Sequence, residues 1–430
     1  MPRDDAHIAA NRFAMGMAPG DRAAITGDPR GWVLAQLAQP DAAPGLDRFA
    51  DSATLLVRAL KARRDKDPDA RKSLRQDYMA EAAARTRAGA LSATPARERL
   101  VRLWSNHFTI SVQRPAVLPL AGAFEREAIR PHVTGRFLHM LRAVVRHPAM
   151  LLYLDNARSI GPQSAAGERH GRGLNENLAR ELMELHTLGP DGGYSQADVE
   201  HLARILTGWT LDAEAGGFRF APRLHQPGAK TVLGIAFHEA GEAEGDRALE
   251  MLARHPATAR MVATRLARHY VADDPPPALV DRLVRRYLDS DGDLGEVTRL
   301  LVEGDEAWAE PLVKMRAPDD LLAATLRAFG GAPEAEDRAL VSSLAVMGQT
   351  PWAAPSPAGW PDRAEAWAAP EALMLRLEWA RKAAPALARR GHFLWPDADL
   401  SEATRRIVSG AATKAEALFL ILASRDFQRR

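Results

Sequence analysis

The amino-acid sequence predicts a mainly α-helical, compact multi-helix globular fold with one minor β-hairpin near 217–234. Three observations point there. Apolar residues recur at helical spacing over most of the chain, as in Leu174, Leu178, Leu182 and Leu185. Helix starts are written in capping chemistry, with Asp28-Pro29, Thr94-Pro95 and Ser195-x-x-Asp198. Strand-like patterns are confined to 217–220 and 230–234. A chain of 430 residues is above the usual size of one core. We therefore expect one helical body over 1–430, divisible at most into halves 1–210 and 211–430.

Taken in order, Ile8, Ala9, Phe13 and Met17 suggest a first short helix, which Pro19-Gly20 stops. Asp28 caps a second, and Pro29 suits its first position. Residues 46–92 are helical but highly charged, and the alanine- and arginine-rich stretch from Lys72 to Leu91 is expected to project from the body. Thr94-Pro95 opens the helix carrying Trp104-Ser105-Asn106-His107-Phe108. Leu100, Trp104, His107 and Phe108 share one face, so His107 points toward the core and Asn106 lies beside it. Two further helices fill 121–158, and 159–173 is a polar, glycine-rich loop.

Past Trp209 the pattern changes. Gly217-Phe218-Arg219-Phe220 and Lys230-Thr231-Val232-Leu233-Gly234 predict the hairpin, with His225 near its tip. Helices return from about Asp246; one starts at Pro256, and Asp293-x-x-Glu296 is a capping box. Residues 348–370, rich in proline, glycine and tryptophan, lack a regular pattern and must be held against the helices. Trp352, Trp360, Trp367 and Trp379 either cover the core or present a partner surface.

Composition removes several functions. The formal net charge of +2 argues against a general nucleic-acid binder, which needs a strongly basic face. With no cysteine there are no disulfides, thiolate metal ligands or cysteine nucleophiles. No window approaches the roughly 18 apolar residues of a membrane span, and no apolar leader follows Met1, so a soluble, cytoplasmic protein is expected. Walker, Rossmann and Gly-x-Ser-x-Gly patterns are missing.

The densest set of polar functional groups lies between Gly173 and Thr210. On a 3.6-residue period the leucine stripe is flanked by Asn177, Glu181 and Glu184 on one edge and by Asn175 and His186 on the other. Arg180 has Glu176 four residues before it and Glu184 four after, the spacing of an ion-pair ladder. Leu188-Gly189-Pro190 ends this helix, and Ser195, best read as a cap, starts the next, giving an antiparallel helical hairpin.

The segments NENLARELMELHTLG, DGGYSQADV and ARILTGWT resemble the signature of a bacterial family known as domain of unknown function number eighteen hundred. Trp104-Ser105-Asn106-His107-Phe108, His147-Pro148-Ala149-Met150, Tyr153-Leu154-Asp155-Asn156, His255-Pro256-Ala257-Thr258-Ala259 and Gly359-Trp360-Pro361 resemble further blocks of it. Ser424-Arg425-Asp426-Phe427 stands where the family has Ser-Pro-Glu-Phe. The resemblance spans nearly the whole chain and brings no established activity. Some relatives carry export leaders. The family's genes often lie beside those of a second family related to alkaline phosphatases and sulfatases, which implies a companion protein.

These readings predict a site on the central helix. Glu181, Glu184, His186 and His107 are its candidate acid–base groups, and Asn106, Asn175, Asn177, Arg180 and His225 its candidate ligand-binding groups. Imidazoles and carboxylates at this density suit a small ligand, a divalent metal or a hydrolytic reaction. A polar network joining helices is the simpler alternative. A second alternative is a non-catalytic binding or assembly partner of the alkaline-phosphatase-like companion.

Overall fold

The computed structural model describes all residues except 1–3, 42, 171–172, 310, 332–335 and 390–398. The helices that frame the functional region are α1 (Pro68–Leu91), α2 (Pro95–His107), α3 (Gln196–Ile205), α4 (Glu242–Arg254), α5 (Pro256–Tyr270), α6 (Pro318–Ala328) and α7 (Pro370–Arg389). The mainly helical prediction is matched. The stretch expected to project, α1, is instead central. The Asp67 carboxylate caps it, accepting the N–H groups of Asp69 and Ala70 at 2.9 and 3.0 Å. Its second half buries Ala82, Ala83, Ala84 and Ala88. Because alanine ends at Cβ, α2 and α6 approach this face closely.

Helix α2 is buried along almost its whole length although it carries Arg97, Glu98, Arg99 and Arg102. Each finds a partner elsewhere in the chain. Arg130 forms a two-pronged pair with Glu98 at 2.6 and 2.9 Å, and Arg102 Nη1 donates to Asp319 at 2.7 Å. Buried apolar residues from Ala6 to Phe427 form one connected core around these helices.

The central helix also departs from the predicted stripe. It is α-helical only over Asn177–Glu181, then widens to a π-turn over Leu182–His186. One extra residue per turn rotates the remainder of the helix by about 100°. Met183, which lies outside the predicted leucine stripe, is therefore buried with His186, while Leu185 is only half-buried. The cap of the next helix is as predicted: Ser195 and Asp198 form a reciprocal capping box. Arg180 pairs with Glu176 at 2.9 Å, but its other partner is Gln196 at 3.0 Å rather than Glu184.

Two small hairpins replace the single one expected. Strand β1 (Trp209–Leu211) pairs antiparallel with β2 (Phe218–Phe220), and β3 (Lys230–Val232) with β4 (Ile235–Phe237). Leu233 and Gly234, with φ of 51° and 75°, make a two-residue turn that sends β3 back on itself. Both φ values are positive, the geometry that matches strand twist. His225 lies buried between the hairpins rather than at a tip. Among the described residues no helix is long and apolar enough to cross a membrane.

Candidate functional site

The structure splits the predicted site residues into three groups. Glu181 and Glu184 are half-buried on the outer side of the central helix; burial, then repulsion from Glu184, pushes the Glu181 carboxyl above its usual range. Asn175 lies two residues before that helix, its Oδ1 accepting the Asn177 N–H at 2.9 Å, and Asn177 itself is exposed. His186 and His107 lie in the core, ring centres 6.2 Å apart, with Phe108 5.2 Å from His186. His225 belongs to a third place. Its Nδ1 donates to the Thr207 carbonyl at 2.9 Å, and its Nε2 is 3.3 Å from Glu244, which also holds the buried Lys230 at 2.9 Å.

This separation corrects the metal expectation. Among the described residues no three His, Cys, Asp or Glu side chains come together to hold an ion. The π-turn is the physical reason, because it sends His186 inward while Glu181 and Glu184 stay outward. The two core imidazoles face a cation instead of carboxylates. Burial and then Arg265 hold His186 at about 3 and take His107 well below its ordinary value. The reading of a ligand- or metal-holding Glu/His/Asn cluster on the central helix, and the hydrolysis built on it, falls with that geometry.

What the structure joins is a different set of motifs, at the C-terminal end of α2. Asn106 brackets the backbone of Trp360, donating from Nδ2 to its carbonyl at 2.9 Å and accepting its N–H at 2.8 Å. Gly359 has a φ of +82°, and a Cβ there would stand 2.5 Å from the Asn106 carbonyl oxygen. Glycine is required for this approach. His107 Nε2 donates to the His186 carbonyl at 3.1 Å, so it ties α2 to the signature helix. The carbonyl can only accept, which fixes the proton on Nε2 and leaves Nδ1 bare, buried and without a partner. Ser105 donates to Glu125 at 2.8 Å. Consecutive residues of one motif thus dock three separate segments.

Beside this junction lies a chamber of about 110 Å³, walled by α1, α2, α5, the start of α6 and the 349–367 loop. Trp352, Trp360 and Trp367 line it together with Arg102, Arg265 and Lys314. Trp352 sits in the left-handed region, φ 51°. Its carbonyl accepts from Val112 N at 2.8 Å, Ser111 bridges to Ala353, and its indole N–H reaches Glu125 at 3.3 Å. The Arg85 guanidinium lies 5.4 Å from its ring centre. Burial raises Glu125, but Arg85, Arg130 and Arg102 outweigh that and bring it to about 2.

A family model described as "Protein of unknown function (DUF1800)" matches residues 8–429. The chain belongs to this family. Neither a curated protein nor a solved structure gives a significant match. The family-like segments Trp-x-Asn-His-Phe, Glu-Leu-His and Gly-Trp-Pro meet at this junction through Asn106 and His107.

Sequence reasoning selected Asn106 and His107 but missed the chamber's other polar residues. No local pattern separates Arg85 and Arg102 from solvated helix charges, or Asp319 and Asp320 from ordinary first-turn acids after Pro318. The one signal that could have drawn attention was the density of arginine and glutamate in α2 between apolar residues, a pattern that leaves no clean polar face.

Proposed function

We propose that the protein binds a small single-ring organic molecule in the tryptophan-walled chamber between α1, α2, α5, α6 and the 349–367 loop. The observation that carries this reading is Trp352, a bulky residue kept at positive φ on the chamber wall. Such strain costs about 1–3 kcal/mol and persists where surrounding structure over-determines it; it clusters at active sites, ligand clamps and switch regions. Three anchors hold it: the Val112 N–H, the Ser111–Ala353 bridge and Glu125. A void of about 110 Å³ takes several waters or one ring.

The test is a titration of the intact protein with benzamide, benzoate and phenylphosphonate, read by tryptophan fluorescence and melting temperature. At least one probe is expected to saturate and to raise the melting temperature. Ala317→Phe, which fills space at the lining, should abolish the response while the protein stays folded. No saturable response with any probe, or full binding by Ala317→Phe, would remove the proposal.

A second reading, assembly with the alkaline-phosphatase-like companion, draws support from α7. There Leu373, Met374 and Leu375 face outward while Arg376 is buried, the reverse of an ordinary surface helix. Co-purification of the companion, lost with Met374→Glu, tests it.

A further inference from the structure

We infer that the chamber's occupant is an anion: a carboxylate or other oxyanion on a flat, single-ring body. This rests on the proposed binding role of the chamber and adds the ligand's charge.

The observation is how the carboxylates around the chamber are shared. Asp319 accepts from Arg85 Nη1 at 2.9 Å and from Arg102 Nη1 at 2.7 Å. Asp320 is paired with Arg99 at 3.1 Å and with Arg430 Nε at 2.6 Å. Asp362 lies 3.0 Å from Arg265 and 3.9 Å from Arg268. Each of these acids stands between two guanidiniums. From outside the lining, Glu125 adds a partner for Arg85 at 2.6 Å, and Asp273 pairs with Lys314. Six arginines and one lysine are thus answered by five carboxylates.

Three of these cations are held below their ordinary values, chiefly by burial, while Arg85, between Glu125 and Asp319, is raised. Burial, then Arg85, pulls Arg102 below its ordinary value; burial, then Arg99, brings Arg430 to about 10. Burial lowers Lys314 although Asp273 opposes it. Positive charge gathered out of water is unfavourable unless an opposite charge completes it. An oxyanion does so with the geometry guanidinium forks prefer. The rest of the lining, with Ile110, Pro361 and the three tryptophans, suits the flat face of a ring. Arg265 has 22 % of its side chain exposed, so it links the chamber to solvent.

The experiment compares benzoate and phenylphosphonate with neutral, similarly shaped benzamide on the intact protein at low salt. The anions are expected to bind at least about tenfold more tightly. Arg265→Gln should weaken them about tenfold and leave benzamide unchanged. Asp362→Asn, which releases Arg265 and Arg268 from their shared acid, should tighten the anions. Benzamide binding as well as or better than both anions overturns the inference and leaves the chamber reading standing. Failure of all three probes overturns both. If Arg265→Gln loses every probe through damage to the fold, Asp362→Asn decides, and unchanged or weaker anion binding there refutes the inference.

Discussion

Replacing Gly359 by alanine tests whether the Asn106 bracket organises the chamber. Two effects add. A non-glycine residue at φ +82° is strained by about 1–2 kcal/mol. The new Cβ would also stand 2.5 Å from the Asn106 carbonyl oxygen and 2.8 Å from both Asn106 Oδ1 and Thr109 Oγ1. A backbone oxygen inside a buried helix end cannot give way, so the loop must lift and the two Asn106–Trp360 hydrogen bonds are lost. Each contributes about 1 kcal/mol. The expected destabilisation is about 3–4 kcal/mol, a large share of the roughly 5–15 kcal/mol that holds a typical domain folded. Gly228→Ala is the control. Its φ is +83° but nothing lies within 4 Å of its added Cβ, so only the strain remains. Urea denaturation of the two variants should differ by about 2 kcal/mol, and Gly359→Ala alone should lose benzoate binding. Equal stability of the two within about 0.5 kcal/mol would refute the bracket.

Three further outcomes are expected of the same structure. His186 is depressed to about 3 by burial and then Arg265, so the folded protein binds fewer protons there than the unfolded chain, whose imidazole titrates near 6.5. Its stabilisation is complete above pH about 6.5 and is lost as pH falls toward 3, about 5 kcal/mol in all; the stability of the parent should fall relative to that of His186→Leu over that window, and parallel pH profiles would refute it. Asp319→Asn leaves Arg85 and Arg102 facing each other without their shared acid and should destabilise by about 3–5 kcal/mol, measured by urea denaturation. A change below about 1 kcal/mol would mean that the shared pair is not formed. Met183→Ala should cost about 2–5 kcal/mol and Leu185→Ala clearly less; the opposite order would show that the π-turn is wrong and the leucine stripe right.

Much of the helical architecture was legible in the sequence because its signals are local. The Ser195–Asp198 box spans three residues, and the Thr94-Pro95 start of α2 spans two. Chemistry of that range is decided by neighbours along the chain, so residue order is enough to read it. The motif blocks too could be picked out singly, and Asn106 and His107 were.

What only the tertiary structure decided is which groups meet. Arg102 finds its acid 217 positions away and Arg99 finds its own 221 positions away. Read alone, both are ordinary charges for a solvent-facing helix; paired, they are buried, and Arg102 lines the chamber. The π-turn is of the same kind, since packing of Met183 and His186 into the core selects it and no periodicity announces it. The sequence by itself determined the helices and their caps. Burial of charge, and the place where it gathers, was set by distant partners, because a buried ion is tolerable only where an opposite one arrives from elsewhere in the fold.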